Sequence, residues 1–124
     1  MQILTLAVSK LKKSKPFKGV TLGVCLQITK ETSVLLVGLQ ELGAKVICCG
    51  GNPLTTQDDI AAFLDSQGIE IFAWSDQSKS EYDWCQTQVL SYKPKIITDD
   101  GGDLHIKAHK EKLKILGGTE DTTT

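Results

Sequence analysis

The feature that most constrains this chain is an alternation of two hydrophobic periods. Short β-rich apolar runs take turns with segments whose apolar residues recur at helical spacing. Gly19–Leu26, Lys45–Cys49, Ile69–Trp74 and Lys95–Thr98 read as strands. Between them, one helix runs from Thr29 or Lys30 to about Leu42 and is stopped by Gly43. A second, capped by Thr55 or Thr56 and carrying Ile60, Ala61, Phe63 and Leu64, is stopped by Gly68. A third starts at Ser78 or Ser80 and runs to about Tyr92. Strands that alternate with helices at this spacing predict βαβ crossovers. The expected fold is α/β: a three-layer, mostly parallel open sheet of about five strands with helices on both faces.

The two ends complete the pattern. Met1–Lys13 reads as a short amphipathic helix stopped by Pro16, and Leu104–Leu113 as a last helical segment. Leu113–Leu116 is the candidate fifth strand, feeding Gly117-Gly118 and a polar tail. The 124 residues are expected to form a single domain, because that length buries a core without staples. The Met1–Val8 run is too short to span a membrane and has no basic segment before it, so no signal peptide is expected.

Charge excludes some partners. A net charge of −1 gives no global field to recruit nucleic acid or an anionic membrane. The lysines at 10, 12, 13, 15 and 18 read as a solvated face. Cys25, Cys48, Cys49 and Cys85 have no zinc spacing, and the adjacent pair should point to opposite faces of a strand. A reduced cytoplasmic protein is the expectation.

Open α/β sheets bind ligands at the carboxyl ends of their strands. The loops there carry Gln27, Thr29, Glu31 and Thr32 after the first strand, then Asn52, Thr55, Thr56 and Gln57 after the second. After the fourth come Asp99, Asp100 and Asp103 around Gly101-Gly102. Neutral and acidic acceptors suit the hydroxyls and exocyclic amines of a nucleoside better than a phosphate. Local roles compete: Thr29 and Thr56 are also helix-cap candidates, Glu31 suits a helix first turn, and Asp99 or Asp103 can satisfy donors of the glycine turn. Magnesium at the aspartates is disfavoured, for no phosphate-holding loop accompanies them. His105 and His109 read as solvated helix residues, and no metal site is expected. No GxGxxG or GxxxxGK[ST] occurs.

Several ordered segments carry a family resemblance. They are Cys25-Leu26-Gln27-Ile28-Thr29-Lys30-Glu31-Thr32, Leu42-Gly43-Ala44-Lys45-Val46 and Asn52-Pro53-Leu54-Thr55-Thr56-Gln57-Asp58. Tyr82-Asp83-Trp84-Cys85, Asp99-Asp100-Gly101-Gly102-Asp103-Leu104 and Glu120-Asp121-Thr122-Thr123-Thr124 belong with them. From about Pro16 to Thr124 the chain resembles the N-terminal half of the substrate domain of adenosylhomocysteinase, the S-adenosyl-L-homocysteine hydrolase.

That resemblance implies a reaction that uses NAD to oxidise the ribose 3′-hydroxyl, eliminates homocysteine, adds water and reduces the ketone back. It implies that Thr29, Glu31 and Thr32 line an adenosine pocket, with Glu31 accepting from the adenine amine. Gln57 would contact the sugar or base side, and Asp100 would lie near the reacting ribose as the catalytic aspartate. Thr122, Thr123 and Thr124 would approach the nicotinamide end of NAD. The chain departs from the pattern at two places. Gln27 stands where the family has a histidine that handles protons, and Asp121 where it has a longer glutamate that grips ribose hydroxyls.

The NAD-binding Rossmann domain and the lysine and aspartate for ribose oxidation have no counterpart up to Thr124. The expectation is therefore a substrate-domain protein with weak affinity for adenosine or S-adenosylhomocysteine, inactive and without NAD on its own. Two alternatives stand beside it: a regulatory module, as a homo-oligomer or paired with a full-length paralogue, and a piece of a longer active hydrolase.

Overall fold

The computed structural model describes residues 2–121. Its order is α1 (Gln2–Leu11), β1 (Thr21–Leu26), α2 (Lys30–Glu41), β2 (Lys45–Gly50), α3 (Asp58–Ser66), β3 (Glu70–Phe72), α4 (Lys79–Ser91), β4 (Ile96–Asp99), α5 (Asp103–Lys110) and β5 (Gly117–Glu120). All strand pairs are parallel and the sheet order is β3-β2-β1-β4-β5. The α/β architecture expected from the sequence is the one observed.

The two faces of the sheet divide the core. Leu22, Val24, Val46 and Cys48 face α2 and α3, where Leu36, Ala61 and Leu64 complete one buried cluster. Cys25, Ile47, Cys49 and Ile97 face α4 and α5, where Val89, Leu90, Leu104 and Ala108 complete the other. This is the period-two alternation of a strand buried on both sides. It sends Cys48 and Cys49 to opposite faces, as their adjacency predicts. All four cysteines are free and buried. Burial pushes the Cys48 thiol up, while the neighbouring Cys25 sulfur and then burial push Cys49 up. These thiols pack as small hydrophobes. The lysines at 10, 12, 13, 15 and 18 are all exposed. Among the described residues, no helix is long and apolar enough to cross a membrane.

Local chemistry sets the helix starts. Ser78 and Glu81 form a reciprocal capping box at α4. Thr29 caps α2, its hydroxyl accepting from the Thr32 amide at a long 3.5 Å.

Two expectations need correction. The cap of α3 is Gln57, without a side-chain bond, and not Thr55 or Thr56. Both threonine hydroxyls are drawn instead to the Asn52 carbonyl, at 3.0 and 3.5 Å. The fifth strand is Gly117–Glu120 and not Leu113–Leu116. Leu116 is 80% exposed, and the strand takes in the glycine pair, of which Gly118 lies against the His105 side chain of α5.

Candidate functional site

Strand order reverses direction at β1. From β1 the chain moves outward to β2 and β3, then returns to the other side of β1 for β4 and β5. The gap beyond the carboxyl ends of β1 and β4 is therefore the switch point where an open sheet forms its crevice. Gln27 leaves β1 there and Asp100 leaves β4. The Asp100 amide donates to the Cys25 carbonyl at 2.9 Å, and the Gln27 Nε2 donates to Asp100 Oδ2 at 3.3 Å. The two side chains thus meet across the crevice.

The neighbouring loops close in on this pair. The Gly51 amide donates to the Leu26 carbonyl at 2.8 Å, and the Gln57 amide to the Ile28 carbonyl at 3.0 Å. This brings Gln57 beside the Ile28–Thr29 turn. Thr29 and Thr32 are half-buried at the start of α2, with their hydroxyls 3.4 Å apart, and Glu31 is an exposed first-turn residue between them. Thr29, Thr32, Gln57 and Asp100 thus gather at one sheet edge.

The glycine turn after β4 is held from several sides. Gly101 and Gly102 have φ of 99° and 87°, the left-handed region that favours glycine. Asp99 is wholly buried, and its Oδ2 accepts from the His105 amide at 3.0 Å. Its Oδ1 has no hydrogen-bond partner among the described residues. Asp103 Oδ2 accepts from the Tyr82 hydroxyl at 3.1 Å, and that hydroxyl also lies 3.4 Å from the Gly51 carbonyl. Asp99 and Asp103 therefore have local partners, the His105 amide of α5 and the Tyr82 hydroxyl of α4, and not the amides of the glycine turn that the sequence suggested.

Burial, with Cys25 and Asp103 close by, pushes the Tyr82 phenol well above its ordinary range. It stays protonated across ordinary pH and acts as a donor from α4 to Asp103 at the start of α5, beside the Gly51 carbonyl of the loop after β2. On the far side, Glu120 Oε1 accepts from the Gly101 amide at 3.0 Å, and the Asp121 amide donates to the Asp99 carbonyl at 2.9 Å. Asp121, exposed, reaches the same edge from β5. Thr122, Thr123 and Thr124 lie outside the described residues.

Tyr82, Glu120 and His105 belong to this edge although the sequence reading gave them no site role. The first two stand within motifs that carried the resemblance, a signal that was available. His105 is half-buried and not a solvated helix residue: its Nε2 lies 2.9 Å from the Thr119 carbonyl. His109 is exposed, as expected. No group of three metal-ligating side chains occurs among the described residues.

An apolar cavity of about 760 Å³ lies elsewhere, between α1, α2 and α3, walled by Leu4, Val8, Val37, Ile60 and Phe63. The convergent acceptors that would orient a nucleoside stand at the strand ends, so the crevice and not this cavity is the candidate site.

Comparison with known proteins bears on the family. A family model described as S-adenosyl-L-homocysteine hydrolase matches residues 1–123. An adenosylhomocysteinase of Sulfurisphaera tokodaii is 46% identical over 93% of this chain and 28% of its own length. An S-inosyl-L-homocysteine hydrolase of Methanococcus maripaludis is 41% identical over the whole of this chain and 31% of its own. An adenosylhomocysteinase of Thermotoga maritima is 38% identical, again over the whole chain and 32% of its own length. The chain thus spans about 30% of the length of the relatives it matches.

Proposed function

This chain belongs to the S-adenosyl-L-homocysteine hydrolase family, and on that premise we propose that its strand-end crevice is one wall of a nucleoside site. The ligand class is the adenosine moiety of adenosine or S-adenosylhomocysteine. What supports the reading is the meeting of Gln27 and Asp100 at the topological switch point, with Thr29, Thr32 and Gln57 beside them. A ribose offers hydroxyl donors to Asp100 and Asp121, and an adenine amine offers a donor to Glu31. Glu31 also bears on base choice: a carboxylate suits an amine and repels the carbonyl oxygen of hypoxanthine. The relatives include hydrolases named for both the adenosyl and the inosyl thioether, so base preference is an open property of the scaffold.

The chemistry of the pair limits what this wall does. A glutamine amide does not titrate near neutrality, so position 27 orients and donates but moves no proton. Asp100 is the group left to accept. NAD supplies hydride chemistry to the family reaction. The described residues offer no glycine-rich dinucleotide loop. A cytoplasmic setting fits the free thiols.

Isothermal titration of the 124-residue chain with adenosine and with inosine tests the reading. One wall leaves much of the ligand to water, so the expected Kd for adenosine lies between roughly tens of micromolar and millimolar, with inosine weaker. Absence of both heat and thermal stabilisation with adenosine overturns it. Gln27 favours a second reading, a regulatory module that pairs with a full-length hydrolase. Co-purification of the chain with such a hydrolase in a defined two-protein mixture supports that, and separate elution argues against it.

A further inference from the structure

We propose that His105 is a positioning residue that seats β5, and with it the Glu120–Asp121 wall, against the glycine turn after β4. β5 needs such a device. All four of its residues are exposed, and among the described residues its sheet neighbour is β4 alone. A short, exposed edge strand frays readily. Yet this strand delivers the Glu120 carboxylate to Gly101 and leads directly to Asp121.

The imidazole of His105 meets the strand in two ways. Its Nε2 lies 2.9 Å from the Thr119 carbonyl, and since a carbonyl only accepts, the ring donates through an Nε2 proton. Its Cε1 also fills the space a side chain at 118 would take: a Cβ built on Gly118 would overlap that atom. Glycine at 118 is therefore the residue that lets the ring lie along β5.

The other end of His105 is fixed as well. Its amide donates to the buried carboxylate of Asp99, whose carbonyl receives the Asp121 amide. One residue of α5 thus bridges the last residue of β4 and the middle of β5. The span from Asp99 through His105 and Thr119 to Asp121 is a closed circuit around the glycine turn, made of hydrogen bonds and the short run of β5. The functional part of this inference rests on the reading of Asp121 as a ribose contact; the clamp itself rests on the geometry alone.

The test compares the 124-residue chain with His105→Ala and His105→Gln, the latter keeping a donor nitrogen at a similar reach. Amide hydrogen exchange is read at Thr119, Glu120 and Asp121, with Val24, Val46 and Cys48 as core references. The expected result is exchange about tenfold faster at the three positions in His105→Ala, unchanged references, and recovery to within about threefold in His105→Gln. Unchanged exchange there in His105→Ala overturns the clamp.

Gly118→Ala keeps the test sharp if a single variant unfolds. Part of its strain lies against the Ile97 carbonyl, 2.9 Å from the added carbon, and the rest against the ring. Gly118→Ala is therefore expected to cost less stability in the His105→Ala background than in the parent, and simple additivity contradicts the fit. Adenosine titration separates the two claims. If the parent binds, His105→Ala is expected to weaken binding by about fivefold or more, with His105→Gln restoring it; full affinity in His105→Ala overturns the positioning role. If the parent fails to bind, the nucleoside reading falls while exchange still decides the clamp.

Discussion

Gln27 and Asp100 leave neighbouring strands and meet at 3.3 Å across the switch point of the sheet. The contact sets a neutral donor against a carboxylate in the place where the family resemblance puts a proton-handling histidine. A hydrogen bond from an amide to a carboxylate at this length orients both groups.

The variant Gln27→His restores a titratable group facing Asp100. The carboxylate favours the cation, so the introduced imidazole is expected to titrate above about 6.5. A raised folded value means that the added stability is present at low pH and fades as pH rises through that value. NMR titration of the new ring, with melting curves on the acid and alkaline sides of neutrality, checks this. A ring that titrates below the ordinary value contradicts the observed proximity.

Asp100→Asn and Asp100→Ala separate charge from orientation. Asparagine still accepts from Gln27, whereas alanine does not. If the carboxylate itself takes a ribose hydroxyl, both variants weaken adenosine binding by roughly tenfold while stability changes by no more than about 1 kcal/mol. Full affinity in Asp100→Asn would assign Asp100 to holding Gln27 alone.

Gly23→Ala tests the packing of β1 against the turn into β4. An added Cβ falls 2.8 Å from Pro94 Cγ and 3.3 Å from Val89 Cγ1, on the α4 side of the sheet. Neither neighbour is a flexible chain end, so the expected cost is about 1–3 kcal/mol in denaturant unfolding. A midpoint equal to the parent's would mean that the α4 side yields freely.

The capping box of α4 predicts an acid limb of stability. Hydrogen bonds with the Ser78 amide and hydroxyl hold the Glu81 carboxyl below its ordinary value near 4.5. A depressed folded value gives a contribution that is present above the unfolded pKa and is lost as pH falls through the folded one. The parent should therefore lose stability relative to Glu81→Gln as pH drops below about 4.5, read in thermal melts across the acid range. Parallel curves for the two proteins would contradict the cap.

Much of the fold is legible in the sequence because its cues are periodic. Leu22, Val24, Val46 and Cys48 alternate with Cys25, Ile47 and Cys49, and the faces follow directly. The loops after β1, β2 and β4 follow from the parallel order, which is why Gln27, Thr29, Gln57 and Asp100 group together on sequence alone. What escapes is set by single contacts between distant segments. The apolar Leu113–Leu116 run imitates a strand, while the true one is Gly117–Glu120, whose Gly118 lies against the His105 ring. Thr55 and Thr56 look like helix caps, yet the Asn52 carbonyl draws both hydroxyls. No period in the chain announces either contact.

The most direct test is an amide-resolved NMR titration of the 124-residue chain with adenosine. The prediction is saturable shifts concentrated at Gln27, Thr29, Gln57, Asp100 and Gly101, where the carboxyl ends of β1 and β4 meet the loop into α3. Shifts confined to Leu4, Val37 and Phe63 around the α1–α2–α3 cavity, or no shifts at millimolar ligand, would contradict the assignment of the crevice as a nucleoside wall.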